Sequence, residues 1–450
     1  MLLRKSFSTR IKFIYLCRRY SFVADAVNEC RQQQKFLEEY KVRTVLEQPI
    51  VHYSKKNLPH FSVNELYNQS ARLSPSFILQ NARETIEQLL VFNARRLKEF
   101  RKLPYLAILN PSISENYDVY LESMSKLLNA SLYTPHTLQE NKDFAEEVLT
   151  KFIEAHADTL PSLSKGFREV ENLLTPSQVK HFLDNHLKER IRMRLIAHQH
   201  IELTRSLNNP ETFVPGGKYN GVIKLLNVFD VIKNNVELVN DITMLQYDQS
   251  VAVEIDSNLK PGNTTGLATT TTTTSTTTNT TKEGAEASSN GELLFPYIEY
   301  HLDYVFMELL KNSFRAHIEN KVLDPVRITV SITDSDASGM EIRIRDKGKG
   351  IPTKELDHVF DYSFTTYEGN EGEGFKTLNV PPEELGGGKN VAGMGFGLPL
   401  AKQYIEVFNE AVEGSHTYEA ETGKRRSKGS LSVQTYPGWG TDVYLKTANI

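Results

Sequence analysis

Three short segments in the second half of the 450-residue chain carry side chains whose types and spacing could do chemistry together. In the first, Glu308 and Asn312 lie four residues apart, so a helix places both on one side. They flank an apolar stripe formed by Leu302, Val305, Phe306, Leu309, Ser313 and Ala316. A carboxylate and a carboxamide at the edge of a buried face are well placed to face a pocket. An ordinary amphipathic helix with a polar margin explains the same residues, so this segment does not decide alone.

The second segment is an alternating run, Ile342–Arg345, that predicts a strand ending at Asp346. Gly348 and Gly350 follow, two residues apart. A carboxylate at such a turn can accept a hydrogen bond from the exocyclic amine of adenine, while glycines let the backbone approach a ring. A plain Asp-containing turn is the alternative, since this short pattern is weak by itself.

The third segment contains Gly393, Gly395 and Gly397, followed by a predicted helix over Leu400–Phe408. Glycines before a helix N-terminus expose backbone N–H groups and the positive end of the helix dipole to phosphate oxygens. The same pattern occurs in flexible linkers and in dinucleotide-binding turns. No strand immediately precedes it and no ordered βαβ unit surrounds it, which argues against dinucleotide binding.

Two different architectures must position these segments. From about 60 to 205, apolar residues recur at three- and four-residue spacing, as in Ala82–Leu103, Phe144–Ala157 and Val179–Leu203. Prolines separate these runs, at Pro104, Pro111, Pro161 and Pro176. This half is therefore predicted to be an antiparallel helix bundle.

The second half mixes strands with helices. The pattern predicts helices over Leu225–Ile242 and about 300–320, and strands at Val251–Ile255, Val326–Ile332, Met340–Arg345, Ser430–Thr435 and Thr441–Lys446. Residues 261–291, centred on the threonine-rich run Thr269–Thr281, cannot build a core and are predicted to be a disordered loop. The remainder predicts an α/β sandwich with helices on one face of a mixed sheet.

Composition limits the classes of protein. Apolar residues make up 39% and charged residues 24%, which suits globular domains. No apolar run approaches the roughly 20 residues that a membrane helix needs. The two cysteines, Cys17 and Cys30, exclude a disulfide framework or a cysteine metal site and favour a reducing compartment.

The N-terminus is basic, rich in hydroxyl side chains and free of acids before Asp25. This composition is typical of a mitochondrial transit peptide over residues 1–20, cleaved after Tyr20; a disordered basic arm is the alternative. Its removal takes away six positive charges, which lowers the formal charge from −4 to −10. A chain that acidic is predicted not to bind nucleic acid.

The order and spacing of the three segments resemble the N, G1 and G2 boxes of the GHKL ATPases. Within that superfamily, further segments are similar to the mitochondrial 2-oxoacid dehydrogenase kinases: Leu103–Pro111, Phe182–Asp184, Arg190–His200, Asp357–Thr366 and Gly440–Leu445. The resemblance covers roughly residues 60–450, apart from the threonine-rich loop and an insertion near 414–428. It implies an N-terminal antiparallel helix bundle followed by a GHKL (Bergerat) α/β sandwich that binds ATP.

The resemblance also implies roles for individual residues. Glu308 would orient and deprotonate the attacking serine hydroxyl, Asn312 would coordinate Mg²⁺, and Asp346 would bind adenine with help from Thr441. Val359, Asp361 and Phe364 match a K⁺ site of the branched-chain enzyme. The expected nucleotide-binding residues are Asn312, Arg315, Asp346, Gly348, Gly350, Phe364, Thr365, Thr366, Gly393, Met394, Gly395, Phe396, Gly397, Leu398 and Thr441.

The same resemblance implies a domain plan and partners. A transit peptide over 1–20 and an extension over 21–59 would precede a bundle over 60–210 that docks on the lipoyl domain of an acyltransferase core. The ATP-binding domain would span 211–450, with a mobile ATP lid over 367–392. A homodimer, or a dimer with a paralogue, acting in the mitochondrial matrix on the alpha subunit of a dehydrogenase first component is expected.

The branch within the family stays open on the residues. Tyr304 lies where pyruvate dehydrogenase kinases usually carry histidine and the branched-chain kinase carries tyrosine. Fungal kinases with such features are associated with the pyruvate dehydrogenase complex, and the threonine-rich loop looks fungal, so pyruvate dehydrogenase is favoured. Two further hypotheses are a degenerate kinase that acts as a scaffold and a histidine kinase. For the histidine kinase, His198 and His200 are the candidate phosphoacceptors, but neither is followed by the usual acid.

Overall fold

The computed structural model describes residues 44–57, 61–157, 159–211, 213–257, 293–332, 339–362, 396–413 and 430–448. The predicted transit peptide, the threonine-rich loop over 261–291 and the predicted lid over 367–392 lie outside the described residues.

The helices of the first half begin where the sequence supplies a capping side chain. The Ser74 hydroxyl accepts a hydrogen bond from the Phe77 N–H at 3.2 Å, and Thr175 forms a capping box with Gln178. In the described part of this half the helices are α1 (44–55), α2 (Val63–Ala71), α3 (Pro75–Phe100), α4 (Tyr105–Ile108), α5 (Pro111–Leu132), α6 (Leu138–Asp143), a π-helical turn (Phe144–Leu149), α7 (Thr150–Ala157), α8 (Thr159–Glu169), a 3-10 turn (Glu171–Leu173) and α9 (Pro176–Asn208).

These helices form the predicted bundle. Helix α3 packs against both α5 and α9, and α5 packs against α8. Their facing apolar side chains, among them Leu89, Phe100 and Met124, are completely buried in one shared core. The run Phe144–Ala157 is helical as predicted, although the structure divides it into a π-helical turn and α7.

The second half alternates strands and helices. Its described elements are β1 (Ile223–Asn227), α10 (Val228–Tyr247), β2 (Val253–Ser257), β3 (Leu294–Ile298), α11 (Glu299–Glu319), β4 (Val326–Ile332), β5 (Met340–Arg345), α12 (Thr353–Leu356), α13 (Gly397–Glu413), β6 (Ser430–Tyr436) and β7 (Gly440–Lys446).

The predicted start of the first helix in this half is wrong. The helix predicted from Leu225 begins only at Val228, because the Asn227 side chain caps it by accepting from the Phe229 N–H. The preceding residues form strand β1, which pairs antiparallel with β3. That partner follows the threonine-rich loop, so no local pattern indicates the pairing.

Five strands form a mixed sheet in the order β2-β4-β5-β7-β6, in which only the β2–β4 pair is parallel. Helix α11 lies between α10 and α13, and it contacts β5, while α13 contacts β6. The described residues therefore confirm an α/β sandwich beside a helix bundle. Strand β5 leads directly into Asp346, next to the C-terminal half of α11.

The two halves share their cores. Leu187, Ile191 and Leu195 of α9 belong to the apolar cluster of the sheet domain, while Phe396 at the start of α13 belongs to that of the bundle. The interface between the two halves is therefore continuous with both cores, and the site described next lies against it.

Candidate active site

Helix α11 carries the first group of predicted site residues. Glu308 is buried at 6% exposure although it is a carboxylate, whereas Asn312, one turn further on, is exposed. The Lys311 ammonium lies 2.5 Å from Glu308 Oε1, and this partly buried ion pair orients the carboxylate. Arg315 pairs with Glu319 at 2.5 Å, along the same helix. The helix thus presents an oriented carboxylate beside an accessible carboxamide.

Tyr304 lies one turn before Glu308 and is buried at 2% exposure. Burial, and secondly the charge of Glu308, raise the pKa of Tyr304 well above its usual value. The phenol is therefore neutral at physiological pH. Its ring packs against Tyr404 of α13, with centroids 5.1 Å apart. The residue one turn before Glu308 is therefore a neutral phenol, whereas a histidine at this position would carry an imidazole that can titrate.

Asp346 is held at the end of β5 by strand β7 and by its own turn. Its Oδ1 accepts hydrogen bonds from the N–H groups of Gly348 at 2.9 Å and Thr441 at 3.2 Å. Because Oδ1 accepts both of these hydrogen bonds, Oδ2 is left to accept a hydrogen bond from a ligand amine. Burial raises the pKa of Asp346 to about 6, partly offset by these two hydrogen bonds.

The glycines of this turn lie so close to neighbouring protein atoms that a side chain would not fit. A Cβ at Gly348 would lie 2.9 Å from Ala316 Cβ of α11, so the turn packs directly on that helix. Gly350 has φ +75°, a left-handed conformation that favours glycine, and a Cβ there would lie 2.6 Å from the carbonyl oxygen of Tyr436. Both glycines are therefore required by close packing within the protein, which fixes the turn that carries Asp346.

The third segment reaches the first through Gly397. This glycine begins α13, and a Cβ on it would overlap the carboxylate of Glu308. Phe396 is buried and packs on Tyr362, with ring centroids 5.3 Å apart, while Leu398 is partly buried. The N-terminus of α13 therefore faces the buried carboxylate of α11.

Several predicted residues cannot be placed. Phe364, Thr365, Thr366, Gly393, Met394 and Gly395 lie outside the described residues. Of the three residues predicted for K⁺, the structure describes Val359, which is buried, and Asp361, whose carboxylate pairs with His358 at 2.8 Å and Lys180 at 3.5 Å. No group of three or more His, Cys, Asp or Glu side chains that could hold a metal ion occurs among the described residues.

Asn312 and the turn of Asp346 nevertheless suit Mg-ATP. An exposed carboxamide offers one oxygen to a metal that keeps several waters and phosphate ligands, which is how proteins usually hold Mg²⁺ with nucleotides. The carboxylate and the glycine turn suit an adenine ring. The residues present therefore fit the nucleotide and its metal.

Sequence reasoning missed the connection between the bundle and the ATP-binding domain. Asp184 of α9 accepts hydrogen bonds at the same oxygen from the Tyr362 hydroxyl at 2.5 Å and the Gln403 amide at 3.2 Å. Ion pairs add to this contact, since Glu410 of α13 lies 2.7 Å from Lys188 and 2.9 Å from Arg192. The two residues of each contact are more than 170 positions apart in the sequence; Asp184 and Tyr362, for example, are 178 positions apart. No local pattern could therefore indicate these contacts.

The two candidate phosphoacceptor histidines are placed differently from what phosphotransfer needs. The His200 ring is completely buried, with its nitrogens 2.7 Å and 3.0 Å from the Asn81 and Asn141 side-chain oxygens. His198 packs against the Tyr300 ring at 5.0 Å. Burial lowers the pKa of each to about 3. Both histidines therefore serve packing within the fold.

The fold and the site together define a class of protein. A GHKL ATPase has a mixed sheet covered by helices, and its site combines a polar helix, an aspartate turn and a helix that begins at a glycine. Residues 298–447 match the family model for histidine kinase-, DNA gyrase B- and HSP90-like ATPases. Residues 60–224, the bundle side, match the model for mitochondrial branched-chain alpha-ketoacid dehydrogenase kinase. The chain is therefore similar in both of its halves to the mitochondrial 2-oxoacid dehydrogenase kinases.

Relatives from three kingdoms carry similar names. The chain is 28% identical over 422 residues to the mitochondrial pyruvate dehydrogenase (acetyl-transferring) kinase 1 of Saccharomyces cerevisiae, covering 93% of this chain and 91% of that one. It is 24% identical to isozyme 1 of the human kinase, and the match covers 80% of this chain and 71% of the human protein. It is 24% identical to the Arabidopsis thaliana kinase, covering 83% and 86%. The similarity spans both halves of the molecule.

Proposed function

We propose that this protein is an ATP-dependent protein-serine kinase that phosphorylates and inactivates the first component of the pyruvate dehydrogenase complex. The observation that carries the proposal is the buried Glu308 carboxylate, held by Lys311 and facing Gly397 at the start of α13. In this proposal Glu308 would receive the proton of the hydroxyl acceptor, and the start of α13 would bind the phosphate chain. The choice of substrate rests on the names of the relatives.

The residues divide the work of phosphoryl transfer. This reaction requires positioning and charge neutralisation more than covalent participation by the protein. Glu308 would accept the proton of the serine hydroxyl, and Asn312 would hold Mg²⁺ through its side-chain oxygen. Asp346 and Thr441 would bind adenine, while the segment from Gly393 to Leu398 would hold the phosphates with backbone N–H groups.

The proposal extends to partners and location. The relatives are named as mitochondrial, and an acid-free basic N-terminus fits import into the matrix. The helix bundle would dock on a lipoyl domain of the acyltransferase core, and the protein would act as a dimer. K⁺ would be held near Val359 and Asp361. No helix among the described residues is long and apolar enough to cross a membrane.

A second candidate substrate is the branched-chain 2-oxoacid dehydrogenase complex. Two observations favour it: the description of the family model that matches residues 60–224, and Tyr304, the residue that the branched-chain kinase carries at this position. Both candidates share the reaction and the site, so only the substrate separates them.

Phosphosite mapping on the two complexes side by side decides between them. The full chain is incubated with Mg-ATP and either purified complex, and phosphopeptides are identified by mass spectrometry. The proposal predicts phosphoserine on the alpha subunit of the pyruvate complex, with a parallel loss of its activity. Modification of the branched-chain complex alone would favour the second candidate. Nucleotide binding without phosphoserine on either complex would contradict both and would favour a regulatory scaffold.

A further inference from the structure

Helix α11 touches the turn of Asp346 through a histidine to which no role has been assigned. His317 lies in the last turn of this helix, beyond Glu308, and is buried at 1% exposure. Its Nε2 accepts a hydrogen bond from the backbone N–H of Lys347 at 2.9 Å. Lys347 stands between Asp346 and Gly348, so the imidazole contacts the backbone at the centre of the turn.

The backbone of His317 is itself anchored. Helix α11 ends in a Schellman motif: Lys321 is left-handed with φ 55°, and the Lys321 and Val322 N–H groups donate to the carbonyls of Ile318 and His317, at 3.2 Å and 2.9 Å. The end of the helix is therefore a fixed point. An imidazole on a fixed helix end can hold a turn in place.

The turn is held from two opposite sides. On the sheet side, Asp346 and Thr441 exchange hydrogen bonds, since the Asp346 N–H donates to the Thr441 carbonyl at 3.0 Å and Asp346 Oδ1 accepts from the Thr441 N–H. On the helix side, Gly348 packs on Ala316 and the Lys347 N–H donates to His317. Without His317 this N–H would lose its protein acceptor, and packing alone would hold the turn against α11.

The chemistry of His317 suits a fixed acceptor. Nε2 can accept only while the ring is neutral, and burial lowers the pKa of His317. Among the charged groups around it, Lys347 acts in the same direction and Asp324 acts in the opposite one, and these two side chains pair with each other at 2.8 Å. Asp346, whose own pKa is raised by burial, lies in the same turn. The acceptor therefore stays available at neutral pH.

We propose that His317 is a positioning residue for nucleotide binding: by holding the Lys347 N–H it sets the position of Asp346 and Gly348 against the adenine ring, without touching the nucleotide. The proposal rests on the ATP-dependent function proposed above. It concerns affinity and not the transfer step, because Glu308 lies more than two turns away on the same helix.

The test compares variants of the full chain by titration calorimetry with Mg-ATP and with ADP. His317→Leu removes the acceptor, and His317→Asn has an oxygen on a side chain too short to reach Lys347. Each is expected to weaken the binding of both nucleotides about tenfold, which is the order of effect expected when a backbone donor loses its protein acceptor. His317→Gln supplies an uncharged oxygen at a reach similar to Nε2, and it is expected to restore affinity to within about threefold.

A matched control removes a hydrogen bond at the same helix end that does not involve His317. The Asn320 side chain donates to the Ala316 carbonyl at 2.6 Å, and Asn320→Ala removes this bond while the hydrogen bonds of the Schellman motif still fix the helix end. This variant is expected to bind nucleotide like the wild type. At saturating ATP, the phosphorylation rate of all four variants should stay within about twofold of the wild type, because the Glu308 region is unchanged.

Wild-type affinity in His317→Leu or His317→Asn, or failure of His317→Gln to restore it, would overturn the proposal, as would a loss confined to the maximal rate. Calorimetry needs no protein substrate, so this result is independent of the substrate proposed above. If the wild type binds Mg-ATP yet phosphorylates neither complex, the proposed function fails while the role of His317 is still decided.

Discussion

Gly397 lies so close to Glu308 that a Cβ on the glycine would overlap the carboxylate. This contact joins helix α11 to the first residue of α13. Position 397 therefore requires glycine, because any side chain there would collide with the buried Glu308 carboxylate. Lys311 holds this carboxylate from the other side. The requirement is steric, and it can be tested directly.

Replacement of Gly397 by alanine is expected to displace the Glu308 carboxylate. A shift of about 1 Å at a catalytic group can lower a rate about 100-fold, and overpacking of this kind destabilises by about 1–3 kcal/mol. Kinetics and chemical denaturation measure the two effects. In a Glu308→Ala background the overlap is gone, so the same replacement should then cost little stability. An equal cost in both backgrounds would contradict the contact.

Substitution of Glu308 by glutamine is expected to lower phosphorylation by about 10²- to 10⁴-fold, because an amide cannot accept the serine proton. Nucleotide affinity should remain within a few-fold, since adenine is bound elsewhere in the site. Rates and calorimetry on the same preparation separate the two. Glu299→Gln is the control, as this exposed residue lies in the first turn of the same helix. Substantial activity in the Glu308 variant would remove this residue from the proposed role.

Asp346→Asn is expected to stabilise the nucleotide-free protein while weakening nucleotide binding. Burial raises the pKa of Asp346 from 3.8 to about 6, so folding favours the protonated form. That contribution to stability is present below pH 3.8 and is lost as the pH rises through about 6. At pH 8 the asparagine variant should therefore gain up to about 3 kcal/mol in the free energy of unfolding.

The pH dependence provides the check on this prediction. Urea denaturation of the nucleotide-free proteins should show the advantage of the variant shrinking by about half at pH 5, where the wild-type carboxyl is mostly protonated in the folded state. The ADP affinity of the wild type should fall as the pH drops below about 6. A stability difference that is the same at both pH values would show that charge burial is not its cause.

Asp184→Ala is expected to loosen the bundle from the ATP-binding domain. The change leaves the hydroxyl of Tyr362 and the amide of Gln403 without their shared acceptor, at a cost of about 1–3 kcal/mol in the free energy of unfolding. Asp184→Asn keeps an acceptor oxygen and should lose less. Thermal and urea denaturation rank the three proteins. Equal stability of the alanine variant and the wild type would show that this contact does not hold the halves together.

The sequence alone predicts which helices and strands carry the candidate site residues that the structure describes. Strands β4 and β5 have the bounds that the alternating pattern predicts, and Asp346 lies at the end of β5 as expected. The reason is local: period-2 and period-3.6 patterns indicate which face of an element is buried, and glycines indicate turns. The placement of Glu308 on the margin of a buried face follows from the same periodicity.

Long-range packing determines which of these residues contact each other. The contacts of Gly397 with Glu308, of Tyr362 with Asp184 and of His317 with Lys347 join segments that are distant in the chain, and burial patterns do not specify partners. The same reason explains why residues 225–227 were wrongly predicted to be helical. They form strand β1, and the strand that pairs with β1, β3, lies beyond the threonine-rich loop. Local residue types determine the chemistry that is possible, whereas the geometry that orients it depends on long-range packing.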